Sequence, residues 1–216
     1  MTPNVSILLP HLREPNNDTA LKVCLDCLVA NTATDFELVM ESVATRRDIY
    51  GVLNRMAERA IGEWIIPMNT DVFVSPGWME PLLEAADPNT IVSPVMVECG
   101  AIGVHERNLQ RDFGMTPDSF QREAFEQWVL EGADWLGGWV EGDWAWFFPS
   151  LLPRQRFLDL GGFDTTRGAF PREPLDINFW IDWETQGGLF KRVRSWVYHL
   201  QQWSSKEEQE KAVRQS

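Results

Sequence analysis

Three groups of side chains in this 216-residue chain are of the right type and spacing to do chemistry. The first is Asn69-Thr70-Asp71, a short polar run directly after the apolar run Trp64 to Met68. A carboxylate there offers hard oxygen to a hard divalent cation. The second is Arg172-Glu173-Pro174-Leu175-Asp176, two carboxylates three residues apart and either one able to take a proton from a hydroxyl. The third is a tryptophan cluster, Trp128, Trp135, Trp139, Trp144 and Trp146, five of the eleven in the chain. Indole faces stack on the C–H surfaces of sugars and carry an N–H as well, while core packing is the plain alternative for at least two of the five. Cys24-Leu25-Asp26-Cys27 has the spacing of redox and zinc motifs. No second ligand pair accompanies it, and Leu21, Leu25 and Leu28 place it in a helical apolar pattern. It reads as two reduced thiols facing a core.

The elements that must position these groups follow from hydrophobic periodicity. Val5 to Pro10 reads as a buried strand ended by proline, and Phe36 to Met40 as a second strand with Glu41 at its carboxyl end. Trp64 to Met68 is a third strand, with Pro67 awkward for a central position, and Thr90 to Val97 a fourth. Helices are predicted from a cap at Asp18 or Thr19 to Asn31, from Arg47 to Ile61 before Gly62, and from Pro76 to Ala86. Alternating strands and helices imply an α/β fold, a mostly parallel sheet with helices on both faces. Ligands of such sheets bind beyond the carboxyl ends of the strands. Pro10, Glu41 and Asn69-Thr70-Asp71 all fall at those ends. Further on, a helix is predicted over 117–131, a strand over 143–149, a short helix from Pro153 to Leu160 ending at Gly161-Gly162, a helix from Leu175 to Gln186 and a strand from Leu189 to His199. The reading is one domain over 1–203, in two halves at 1–97 and 98–203, and a charged tail at 204–216.

A net charge of −13 disfavours nucleic-acid backbones and docking on anionic lipid by charge alone. No run of about 18 apolar residues is present and the N-terminus lacks a basic region, so neither a transmembrane segment nor a signal peptide is expected and the expected location is cytoplasmic.

Several short motifs, in order, resemble one family. Val5 to Pro10 resembles its opening strand. Ala60-Ile61-Gly62-Glu63-Trp64-Ile65-Ile66 resembles an A-x-G-E-(aromatic)-I segment, and Asn69-Thr70-Asp71 with Pro76-Gly77-Trp78 resembles D-x-D followed by P-G-W. Gly161-Gly162-Phe163-Asp164 resembles a G-G-F-D turn, and Tyr198-His199 a terminal Y-H. Together they resemble a family 2 glycosyltransferase of the GT-A (Rossmann-like) fold, from Val5 to His199.

The resemblance implies an inverting transferase that moves a sugar from a nucleotide-diphosphate donor, a UDP-sugar first, to a hydroxyl acceptor such as a saccharide, with Mn2+ or Mg2+ as cofactor. It implies Asp71 and His199 as metal ligands, with a turn aspartate and a satisfied buried histidine as the plain alternatives. Pro10, Glu41, Arg46, Arg47, Asn54, Asn69 and Asp71 would bind the donor, Glu41 against the base. Trp139, Trp144 and Trp146 would meet the acceptor. Glu173 or Asp176 would be the general base, with Glu173 preferred because Asp176 also suits a helix cap. Three departures stand out: Asn69 replaces the usual aspartate, Arg46-Arg47 does not reproduce an Asn-x-Gly, and Pro174 replaces the middle aspartate of an E-D-x-D motif. Asn69 and Pro174 favour an alternative, a catalytically weakened or inactive nucleotide-sugar or carbohydrate-binding protein on the same fold. A nucleotidyltransferase would call for a Gly-rich basic loop after the first strand, where His11-Leu12-Arg13-Glu14-Pro15 has no glycine. His11 and His105 read as structural or loop residues.

Overall fold

The computed structural model describes residues 4–100, 108–134, 148–166 and 175–201. Residues 143–147 of the strand predicted over 143–149 lie outside them, as do the tail, Trp135, Trp139, Trp144, Trp146, Glu173 and His105, while Phe148 and Pro149 form a bend and not strand. Arg47 is placed by its backbone only.

β1 (Val5–Leu12) is buried at every position except the half-buried His11, as suits a strand with neighbours on both edges. It pairs in parallel with β2 (Phe36–Val43) on one side and β3 (Trp64–Pro67) on the other. α1 (Pro15–Asn31) and α2 (Ile49–Arg59) make the connections. β1 does not end at Pro10. The Leu8 carbonyl accepts from Met68 N–H on the β3 side, so by alternation Pro10 also turns its donor-less nitrogen that way. Pairing with β3 has stopped at Leu8–Pro67, and no ladder bond is lost. Pro67 is accommodated similarly, as the last residue of β3.

The expected mostly parallel arrangement is divided between two sheets. A strand that periodicity missed, β4 (Val72–Val74), follows the Asn69–Asp71 turn and pairs antiparallel with β8 (Leu189–His199). β5 (Thr90–Glu98) pairs in parallel with β8 and with β6 (Leu109–Gln110), while β7 (Leu152–Pro153) closes the first sheet antiparallel to β3. The orders are β2-β1-β3-β7 and β4-β8-β5-β6. An antiparallel bridge between Val92 and Leu151 joins the two sheets. The fold class is the expected one, mixed α/β with mostly parallel sheets flanked by helices.

Helices cover both faces. Ile7, Leu9, Ile66, Phe73, Trp78 and Tyr198 share one core with Cys24, Cys27 and Leu28 of α1, Leu82 of α3 (Glu80–Glu84) and Phe125 of α4 (Arg122–Leu130). Leu8 and Ile65 face the opposite core, with Leu53 of α2, Phe157 of α5 (Arg154–Asp159) and Trp183 of α6 (Leu175–Thr185). Neighbours Ile7 and Leu8 point to opposite cores because strand side chains alternate. Cys24 and Cys27 are buried free thiols; burial pushes Cys24 well up and Cys27 to about 12.

Helix boundaries moved for local reasons. α1 starts at Pro15, not at Asp18 or Thr19, because a first-turn proline loses no needed donor. The helix expected from Arg47 begins as a 3₁₀ turn, Arg46–Asp48, and α2 ends at Arg59. Gly62 answers to a different constraint than a helix stop: a Cβ there would lie 2.7 Å from the Ser6 nitrogen, so it lets the chain pass β1. α3 is much shorter than Pro76–Ala86, since Gly77 at φ +66° cannot sit in a right-handed helix. The predicted 117–131 helix splits into a 3₁₀ turn, Pro117–Ser119, closed by a Thr116–Ser119 capping box, and α4. No helix among the described residues is long and apolar enough to cross a membrane.

Candidate active site

Sheet register brings three polar residues together at neighbouring strand ends. His199 closes β8, between β4 and β5. Its partner is Val72 on one side, directly after Asp71, and Glu98 on the other. Asp71 is buried, its carbonyl accepts from Leu200 N–H at 3.1 Å, and its Oδ2 lies 4.0 Å from His199 Nε2. The other imidazole nitrogen, Nδ1, lies 3.4 Å from Glu98 Oε1. Burial pulls the His199 pKa down, but the Glu98 hydrogen bond and the Asp71 and Glu98 charges outweigh it and leave the pKa above the ordinary imidazole value.

Asp71 and His199, separated in sequence by most of the chain, are thus within reach of one cation, whose bonds to oxygen or nitrogen run about 2.1 Å each. Among the described residues no group of three or more His, Cys, Asp and Glu forms a metal cage. Two protein ligands nevertheless fit a Mg2+- or Mn2+-type ion, which takes few protein ligands where phosphate oxygens complete its shell. Asn69 stands in the same turn, its carbonyl accepting from Val72 N–H at 3.3 Å.

A second grouping lies around the carboxyl end of β2. Glu41, in register with the buried Pro10, has both carboxylate oxygens bonded from α2: Arg55 Nη2 donates to Oε1 and Arg59 Nη2 to Oε2, each at 2.5 Å. The Arg55 hydrogen bond leads in holding the Glu41 carboxyl below its ordinary value. The sequence reading missed both arginines. They sit four residues apart on one face of α2, which is the signal that could have found them. Beside them opens a cleft of about 360 Å³, lined by Ser42, Val43 and Ala44 at the β2 end, Asp48, Gly51 and Arg55 of the following turn and helix, and Thr165. Arg46 is half-buried in the 3₁₀ turn next to this cleft.

Asn54 is occupied elsewhere. Its Nδ2 donates to the Phe163 carbonyl and its Oδ1 accepts from the Phe163 N–H, both at 2.9 Å. Instead of presenting its amide to a donor, it clamps the Gly161-Gly162-Phe163-Asp164 turn onto α2.

Asp176 is the second residue of α6 and is half-buried. Burial raises its pKa, while hydrogen bonds from Ile177 N–H and from the Tyr50 hydroxyl oppose the rise. Tyr50 lies at the start of α2, next to Gly51 of the cleft, with its ring edge-on to Phe163 at 5.0 Å. Asp176, Tyr50 and the Phe163 turn therefore form one unit. Glu173, the other acidic candidate, and the acceptor candidates Trp139, Trp144 and Trp146 lie outside the described residues. Trp128 is half-buried in α4 against Phe113 and Phe125, which is the packing alternative.

Against known proteins, the chain matches the model of glycosyl transferase family 2 over residues 43–172. The matched stretch begins at the last residue of β2 and contains the cleft lining except Ser42, together with Asn54, Asn69, Asp71 and the Phe163 turn. Pro10, Glu41, Asp176 and His199 fall outside it. A comparison with curated proteins returns no match. With the match spanning more than half of its 216 residues, the chain belongs to glycosyl transferase family 2.

Proposed function

We propose that this glycosyltransferase moves a sugar from a nucleotide diphosphate, a UDP-sugar in first place, to a hydroxyl acceptor, a saccharide in first place, with inversion at the anomeric carbon. The observation that carries the reading is the approach of Asp71 and His199 at adjacent strand ends, at the edge where α/β folds bind ligands. Asp71 and His199 would hold Mn2+ or Mg2+, and a cation so held would offset the charge that develops on the departing diphosphate. Pro10, Glu41 and the cleft between β2 and α2 take the base and ribose, with Arg46 and Arg47 toward the phosphates and Asn69 beside them. Tryptophans 139, 144 and 146 stack on the acceptor.

In the transfer, the acceptor oxygen bonds to the anomeric carbon as its proton passes to a carboxylate, and the bond to the nucleotide diphosphate breaks on the opposite face. Asp176 suits the proton step because burial makes it a stronger base than an exposed aspartate, and Tyr50 fixes its direction. Glu173 is the other candidate for that role.

Calorimetric titration of nucleotide sugars with Mn2+, Mg2+ or EDTA, on wild type and Asp71→Ala, tests the reading. Cation-dependent binding of a UDP-sugar that is lost in the variant supports it, and slow donor hydrolysis in the same samples marks an active enzyme. Binding without turnover on any acceptor points to a sugar-nucleotide binding protein. No binding of any nucleotide sugar overturns the proposal.

A further inference from the structure

His199 is held from behind by a buried carboxylate that the sequence reading did not single out. Glu98 is 7% exposed and gathers three groups. Asn108 Nδ2 donates to Oε1 at 3.1 Å, His199 Nδ1 lies 3.4 Å from the same oxygen, and Gln201 Nε2 donates to Oε2. A carboxylate taken out of water is costly unless its lone pairs are met by hydrogen bonds, and here the strand register supplies them. β5 ends at Glu98, β8 ends at His199 in register with it, and Gln201 follows two residues on.

Gln201 shows that this arrangement is kept against a local cost. Its φ is +27°, the only positive value among the described non-glycine residues. A side chain at such an angle persists when its surroundings over-determine it. Its surroundings do: the Gln201 amide reaches Glu98 with its nitrogen, while its Oε1 accepts from the Gly100 N–H at 3.0 Å. Glycine would relieve the backbone but break both contacts.

We infer that Glu98, braced by Gln201 and Asn108, is a positioning residue for His199: it accepts the Nδ1–H, fixes that tautomer, and leaves the bare Nε2 facing Asp71. An imidazole ligates a cation through an unprotonated nitrogen, and the partner of the other nitrogen decides which one is bare. Glu98 makes the Asp71–His199 pair ready for a cation before any donor arrives. The inference rests on the reading of those two residues as cation ligands, but its structural half is measurable without a metal.

The experiment is nitrogen-15 NMR of histidine-labelled full-length protein without metal, followed by Mn2+ titration read by electron paramagnetic resonance. The chain has three histidines, so His199→Gln assigns the signal directly. In wild type, above its titration, His199 is expected as the Nδ1–H tautomer. Glu98→Ala should shift it toward Nε2–H and weaken Mn2+ binding by about 10- to 100-fold, the usual cost of losing such a partner. Glu98→Gln keeps the volume but replaces one carboxylate oxygen by an amide N–H, which faces either the Asn108 and His199 donors or the Gln201 donor, so it should show the same two changes at smaller size and serves if the alanine variant does not fold. A wild-type tautomer with Nε2 protonated, or unchanged tautomer and Mn2+ affinity in the variants, overturns the inference. Tautomer changes in a protein that binds no Mn2+ even in wild type would uphold Glu98 as the orienting group, yet reject the cation reading.

Discussion

Asn54 and Phe163 are joined by two hydrogen bonds of 2.9 Å, one from each end of the Asn54 amide to the Phe163 backbone. The pair ties α2, which borders the cleft, to the turn that leads toward α6 and Asp176. Gly162 sits against it at φ +66°, and a Cβ on Gly162 would run into Asn54 Oδ1. Gly162 is thus explained by a close approach as well as by backbone angle, and Gly161, at φ +83°, by backbone angle alone.

Removing the clamp should show as lost stability with no ligand present. Asn54→Ala gives up two bonds and leaves a partly buried carbonyl and N–H unmet, at a cost of about 2–3 kcal/mol. For a domain of this size that is a fall in Tm of roughly 5–10 °C. Asn54→Asp should do at least as badly, because a carboxylate oxygen would face the Phe163 carbonyl where Nδ2 now donates. Thermal melts of the two variants check this; unchanged melts would return Asn54 to the donor site.

Glu41 carries a different prediction, because its partners are exposed. Arg55 and Arg59 both keep more than half of their side-chain surface in solvent, so truncating either should cost under about 1 kcal/mol of stability, less at high salt. If the Glu41 carboxylate faces the base, Glu41→Gln should weaken UDP binding by about tenfold, roughly 1.4 kcal/mol, with Tm nearly unchanged. The arginines hold the Glu41 pKa down, so its contribution is complete above the ordinary carboxylate value and is lost only as pH falls through the lower one. UDP affinity in wild type should therefore persist into mildly acidic buffer. Calorimetry at several pH values measures both effects.

These two residues also show what was legible in the sequence. Apolar runs placed Pro10, Glu41 and Asp71 toward one edge of the sheet, although β1 and β2 run on past Pro10 and Glu41 to Leu12 and Val43. The His199–Asp71 approach depends on an antiparallel pairing between β4 and β8, and β4 is three residues long, too short for any periodicity to reveal. Glu98 was hidden for a related reason: it closes a mostly apolar strand, and its worth depends on the register of a partner about a hundred residues away. The Asn54–Phe163 bonds are not legible in the sequence, because an amide on a helix facing a ligand edge looks the same whether its bonds go to a ligand or to a distant backbone.

Asp176 provides a pH test with a definite sign. Its pKa is raised, first by burial, so the folded protein holds this proton more tightly than the unfolded chain does. Stability should then fall as pH rises from the ordinary aspartate value through the raised one, and Asp176→Asn should remove that slope. Chemical denaturation across that interval measures it. If Asp176 is the base, transfer requires its ionised form, and the rising limb of activity with pH lies above the ordinary carboxylate range. The Tyr50 hydrogen bond stabilises the charged form, so Tyr50→Phe should move that limb to still higher pH. A limb that stays in place in Tyr50→Phe and survives Asp176→Asn would transfer the role to Glu173.

The proposed cation site is tested most directly by a change that removes charge and keeps shape. Asp71→Asn leaves the turn and the β4–β8 pairing intact, since the Asp71 main-chain bond to Leu200 does not involve its side chain. The fold should survive and Tm should shift little. Mn2+ binding should fall by at least tenfold, because a neutral amide oxygen replaces the buried carboxylate that faces His199 Nε2. Donor binding in EDTA should be the same in wild type and variant, while the gain on adding Mn2+ should appear in wild type alone. The His199 pKa gives an independent readout in the same samples: the Asp71 charge helps to hold it up, so the substitution should lower it. A normal Mn2+ response together with a lowered His199 pKa would keep the two residues as neighbours and take the cation away from them.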